Sequence, residues 1–165
     1  MTSNEKELIL SFSSDEISIS EFIKRFPHDI TAPAVYVLES ISNAMKEKDS
    51  ESLEYIFLLG FSLDCFDRSF SKVLSILLLE DWHRQHEDIV SIFDKIRDPN
   101  TVEPLFNSIS LKLEYMDYDD TFSLARRCIY AIGKIRTPSA IEKLKILSGS
   151  DISIIRKEAL LQLNS

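Results

Sequence analysis

Apolar residues return every three or four positions along most of the chain, a period that predicts helices. Ser18-Ile19-Ser20-Glu21 has capping-box spacing and opens a short helix to about Phe26, which Pro27 stops. From Pro33 to Lys48 the stripe is Val37, Leu38, Ile41, Ala44 and Met45. Ser50 is placed to cap the next helix, in which Leu53, Ile56, Phe57 and Phe61 recur. That helix is apolar nearly all round, so a central position is expected for it. Phe66, Phe70, Val73, Leu74, Leu77 and Leu78 mark another, ending near Trp82, and Ile89, Ile92, Phe93 and Ile96 the next. No stretch shows the sustained alternation and turn glycines of paired strands.

The second half repeats itself. Lys95-Ile96-Arg97-Asp98-Pro99 through Glu103 and Leu105 recurs as Lys134-Ile135-Arg136-Thr137-Pro138 through Glu142 and Leu144, 39 residues on. Leu124, Cys128, Ala131 and Ile132 correspond in character to Ile155, Ala159, Gln162 and Leu163, an offset of 31. The eight extra residues fall near Glu114 to Thr121 and look like an insertion between repeats. Each unit is a helix, a short turn and a second helix. Asp98 or Thr137 caps the second helix, and Pro99 or Pro138 suits its first turn, where the missing N–H has no intrahelical partner anyway. Pro104 fits only if the helix proper starts near Thr101. Small residues at Cys128, Ala131 and Ala159 allow close helix approach, and Gly149 is placed to end the helix begun at Pro138.

These stretches resemble HEAT-like repeats of the type found in phycobilisome lyases. "IRDPNTVEPLFNSI" is close to that family's inter-helix signature, "LARRCIYAIGKIRTPSAIEKLKIL" resembles a whole unit, and "IIRKEALLQL" the first helix of another. The resemblance covers roughly residues 85–165, whereas 15–84 carry no clear repeat signature. It implies an all-α fold, a short right-handed solenoid of paired antiparallel helices. About eight or nine helices are expected, in a single domain over 1–165.

Charge gives this pattern a direction. The net charge is -8, but residues 1–120 hold 24 acids and 11 bases, while 121–165 hold 3 acids and 8 bases. The three glycines, Gly60, Gly133 and Gly149, are too far apart for a G-x-G-x-x-G fingerprint or a two-glycine P-loop, and no G-x-S-x-G elbow is present. Cys65 and Cys128 form no C-x-x-C pair and are expected as buried reduced thiols in apolar helical patterns. The first ten residues lack a signal-peptide pattern, and the densest apolar run, Val73 to Leu79, is far short of a membrane span. A cytoplasmic address is expected, with no membrane partner.

Three clusters invite chemistry. His83, His86 and Glu87 have helical i, i+3 and i+4 spacing that could converge on zinc or iron. The spacing is neither H-E-x-x-H nor H-x-x-E-H, and the bland alternative is helix capping near Trp82. HEAT-repeat deoxyhypusine hydroxylases bind metals through several His-Glu dyads; this chain has one, His86-Glu87. No metal or other cofactor is therefore expected. The basic residues after 121 could hold phosphates, as HEAT-like DNA glycosylases do, but no aromatic platform accompanies them and nucleic acid is not expected as a partner.

The acidic stretch is the better candidate. Glu80 to Asp120 holds 11 acids against 4 bases, and Glu114, Asp117, Asp119 and Asp120 surround Tyr115, Met116 and Tyr118. Tyrosine and methionine are enriched at protein interfaces, and acids steer basic partners. The layout also resembles small bacterial HEAT-like immunity proteins of contact-dependent and related toxin systems. That resemblance rests on "SDEISISEFIKRFP", "LLLEDWHRQHEDIVSIFDKIRDPNTVEPL" and "YDDTFSLARRCIYAIGKI". It implies a non-enzymatic inhibitor of a toxin domain, often a basic nuclease. Charge reasoning alone selects Asp88, Asp94, Asp98, Glu114, Tyr115, Asp117, Tyr118, Asp119 and Asp120 as partner contacts. The competing readings are a general scaffold or a lyase-type chaperone, which needs a cofactor-sized apolar groove, and a metal enzyme at His83, His86 and Glu87.

Overall fold

The computed structural model describes residues 1–116 and 119–165. The chain is 70% helix, with ten α-helices and no strand among the described residues. It divides into two compact units, Met1–Asp67 and Arg68–Ser165.

The first unit holds α1 (Ser3–Ser13), α2 (Ile19–Arg25), α3 (Pro33–Glu47) and α4 (Ser50–Ser62). α1 is the helix that the hydrophobic pattern does not announce, and it takes the count past eight or nine. A reciprocal capping box starts it: Glu5 N–H donates to Thr2 Oγ1, and Thr2 N–H donates to the Glu5 carboxylate. Ser18 caps α2 through Glu21 N–H, as its spacing predicts. Asp49, not Ser50, caps α4, accepting from Ser52 N–H at 2.9 Å. Within this unit α4 packs on both α1 and α3, consistent with its all-round apolar surface. Phe22 stacks between Phe12 and Phe26 at 4.6 and 4.7 Å, in a core with Leu8, Ile9, Ile30 and Leu59.

The second unit holds α5 (Ser71–Leu77), α6 (His86–Ile96), α7 (Val102–Ser108), α8 (Ser123–Ile135), α9 (Pro138–Leu147) and α10 (Ser153–Leu163). The apolar run expected as one helix from Phe66 to Trp82 is instead a 3-10 turn at Arg68–Phe70, then α5, then a loop. α8 packs against α6 on one side and α10 on the other; α7 and α9 also pack on α8. α5 meets α7, and α7 meets α9. Leu77, Ile89, Phe93, Leu105, Cys128, Ile129, Ala131, Ile132 and Ala159 are fully buried.

The two repeated turns share one backbone course. Arg97 and Arg136 cap their helices in the left-handed region, at φ 46° and 56°. Asp98 and Thr137 then turn extended and accept an N–H from the next element. After Pro99 the first copy makes a 3-10 turn, Pro99–Thr101, before α7 begins at Val102. Pro104 therefore sits in the first turn of α7, where its missing N–H costs nothing.

Glycine does not make these turns. Among the described residues six non-glycine residues have positive φ, and no glycine does. Gly149 follows the Ser148 cap of α9 without the left-handed conformation expected of it. Gly133 serves close approach: a Cβ there would lie 2.9 Å from Cβ and Cγ of Gln162 on α10. A Cβ on Gly60 would lie 2.7 Å from Cε2 of the Phe66 ring and closer still to its Cζ.

Candidate functional site

The loop before α6 and the insertion after α7 meet through two histidines. His83 and His86 are buried, and their rings stack at 4.3 Å with 13° between planes. Gln85 N–H donates to His83 Nδ1 at 3.0 Å, so the ring proton lies on Nε2 and is donated to the Leu77 carbonyl at 2.8 Å. His86 Nε2 faces the Glu80 carbonyl at 2.8 Å and must donate; its Nδ1 then accepts from the Tyr115 hydroxyl at 2.8 Å. Both rings are neutral with every polar atom satisfied. Burial lowers the pKa of both, and with the neighbouring His83 takes His86 down to about 4. Burial, reinforced by the Glu87 charge, pushes the Tyr115 phenol up to about 12.

This arrangement does not assemble the donors that the helical spacing suggested for a metal. All four ring nitrogens are committed to protein groups. The Glu87 carboxylate accepts from Ser123 Oγ and pairs with Arg127 Nε at 3.3 Å. Among the described residues no group of three or more His, Cys, Asp or Glu could hold a metal ion.

The nine charge-selected residues fall in different settings. Glu114 and Asp120 are exposed, and Asp88 is half-buried on α6. Tyr115 is half-buried in the 3-10 turn Glu114–Met116, its hydroxyl held by His86. Asp98 is only 7% exposed, and its Oδ1 accepts from the backbone and side chain of Asn100 at 2.9 and 3.0 Å. Burial raises its pKa, but Ser71 beside it, Asn100 and Arg68 outweigh that and hold it below the usual carboxylate range. Asp119 accepts from the hydroxyl and N–H of Thr121 and from Ser123 N–H, ordering the start of α8. Those bonds, the Thr121 side chain foremost, lower its pKa. Asp117 and Tyr118 lie outside the described residues.

Asp94 is the ninth. It lines a cavity of about 480 Å³ formed by α6, α8, α10 and the segment before α8, with Ser91, Arg126, Arg127, Tyr130 and Glu158. Charge counting along the acidic stretch missed this groove, because its other walls belong to the basic end. The 31-residue offset held the signal: it sets Glu158 opposite Arg127 on neighbouring helices, and Arg126 Nε pairs with Glu158 at 3.1 Å.

In the first unit, a cavity of about 470 Å³ is lined by Glu5, His28, Tyr36, Glu39, Glu47 and Asp49 among others. Glu5 is buried and bonded to Thr2 and His28. Burial alone would raise its pKa; these bonds outweigh it and leave the carboxyl below its ordinary range. Among the described residues no helix is long and apolar enough to cross a membrane.

Compared with family models, curated proteins and solved structures, the chain matches none.

Proposed function

We propose that the protein is an immunity-type inhibitor that binds one toxin domain, a basic nuclease, and blocks it by stoichiometric occlusion. The observation that carries this reading is the charge of residues 80–120, 11 acids against 4 bases, which spans the first helix–turn–helix copy and the insertion that separates it from the second. In this reading the second unit is a short right-handed HEAT-like solenoid, an architecture that offers extended binding surfaces; the packing of α8 against α6, α7, α9 and α10 is consistent with stacked helix pairs. Exposed Glu114 and Asp120 are positioned to meet a basic surface built to hold phosphates, and opposite charges speed such association. In this reading the protein is not an enzyme, needs no cofactor and acts in the bacterial cytoplasm.

The test is co-expression with the toxic C-terminal domain of a secreted protein encoded directly upstream. Protection, a 1:1 complex and strongly salt-dependent affinity are expected. Combined charge reversal at Glu114, Asp117 and Asp120 should weaken binding and flatten its salt dependence. Asp119 is left intact because it orders the start of α8. A complex unaffected by that triple change removes the acidic segment as the docking site; no complex at all removes the inhibitor reading.

A further inference from the structure

In the groove over α6, α8 and α10 the lining hydroxyls and the Nε groups of the lining arginines are already committed within the protein. Ser91 Oγ donates to the Glu87 carbonyl at 2.9 Å, Thr121 Oγ1 donates to Asp119, and Ser123 Oγ donates to Glu87. Each of these lining hydroxyls has therefore given up its proton inside the protein and has only lone pairs left to offer. The two lining arginines are paired through Nε, Arg126 with Glu158 and Arg127 with Glu87. Asp94 is different: its Oδ1 is buried and has no hydrogen-bond partner among the described residues. A buried acceptor without a donor is unfavourable, and an incoming donor relieves it. On α8 Tyr130 is 44% exposed and its ring carries the Lys134 ammonium 4.8 Å from its centroid, a cation that an incoming guanidinium would replace.

We propose that this groove seats an arginine side chain of a basic protein partner, with Asp94 as the acceptor and Tyr130 as the surface on which the guanidinium lies. The partner being a protein rests on the inhibitor reading; the chemistry of the groove does not. A planar fork can engage both oxygens of one carboxylate and stack on an aromatic ring, which an ammonium cannot do. An anion would meet the terminal nitrogens of Arg126 and Arg127, but also Asp94 and Glu158. The volume, about 480 Å³, is ample for one long side chain and its backbone.

The full chain, labelled with ¹⁵N, is titrated with acetyl-Gly-Arg-Gly-amide. The neutral isostere carrying citrulline and the peptide carrying glutamate serve as controls. Saturable shifts at the amides of Ser91, Asp94 and Tyr130 are expected with the arginine peptide. Citrulline should bind about tenfold more weakly or not at all, and Asp94→Asn should weaken arginine binding by a similar factor, as loss of a charge-assisted pair implies. Tyr130→Ala should weaken it severalfold while leaving the rest of the spectrum in place. No saturable shift, an equal response to citrulline, or a preference for glutamate overturns the proposal. If the peptides fail while the toxin domain still binds through the acidic segment, only the groove assignment falls. If the arginine peptide binds and no toxin complex forms, the inhibitor reading falls and the groove stands.

Discussion

Acidification from pH 7 to pH 5 tests the His83–His86 pair directly. In the folded chain His86 is neutral, with a pKa lowered from 6.5 to about 4 by burial first and by His83 second. The unfolded chain binds that proton from about pH 6.5 downward, the folded chain only near pH 4. The stabilising contribution is therefore complete above pH 6.5 and is lost as pH falls through 6.5 toward 4. Linkage between those two values gives about 2 kcal/mol between pH 7 and pH 5, and partial solvent screening trims it to about 1–2 kcal/mol. His83, also lowered by burial, adds in the same direction. Glu5, Asp98 and Asp119, all held below the usual carboxylate range, lose their contributions only below about pH 4.5, outside this window. Trp82, whose ring lies 5.1 Å from that of His83, is the fluorescence probe for urea unfolding at pH 7, 6 and 5. The midpoint of the wild type should fall across the series, and His86→Gln should show a distinctly shallower fall. An unchanged pH slope in His86→Gln, or a folded-state His86 ring titrating near pH 6.5 by NMR, refutes the account.

Asp98→Ala removes the cap of the 3-10 turn that leads into α7 and should cost about 1 kcal/mol in urea unfolding, whatever its effect on a partner. Tyr115→Phe leaves His86 Nδ1 without its donor and should lower stability by about 1–2 kcal/mol, with faster amide exchange in the Glu114–Met116 turn. Gly133→Ala should destabilise by about 1–2 kcal/mol although alanine is the better helix former, because its Cβ would crowd Gln162 at 2.9 Å. Gln162→Ala should recover only part of that loss, since the Cβ of residue 162 is itself one of the crowded atoms. Cys128 is fully buried beside Ser108, and burial pushes its thiol up to about 12, so a thiol reagent should label native protein at Cys65 and reach Cys128 only on unfolding.

The helical class and the repeated turn were legible because both are local. Three-to-four-residue periodicity marks α3, α4 and α6, and Asp98-Pro99 and Thr137-Pro138 carry their cap and first-turn chemistry within a few residues. α1 escaped notice because its start is written in a Thr2–Glu5 capping box rather than in a long apolar stripe. Ser50 lost the cap to Asp49 by one position, within the usual uncertainty of helix ends. The candidate surface was legible only as charge. Counting acids put Asp98 and Glu114 in one class, yet one is buried as a cap and the other is exposed.

The sequence by itself determined that the chain is helical, where its two matching turns lie, and that its acids precede its bases. Helix periodicity and capping depend on neighbours within a turn or two, and charge order needs no fold at all. Tertiary structure decided the rest. His83, His86 and Tyr115 lie up to 32 residues apart, and only packing joins them into a neutral, fully bonded network instead of a metal site. Packing likewise brings α6, α8 and α10 side by side, so that Asp94 of the acidic stretch shares a groove with Arg126, Tyr130 and Glu158 of the basic end. A side chain's partners, and whether an oxygen is left without one, depend on residues far away along the chain.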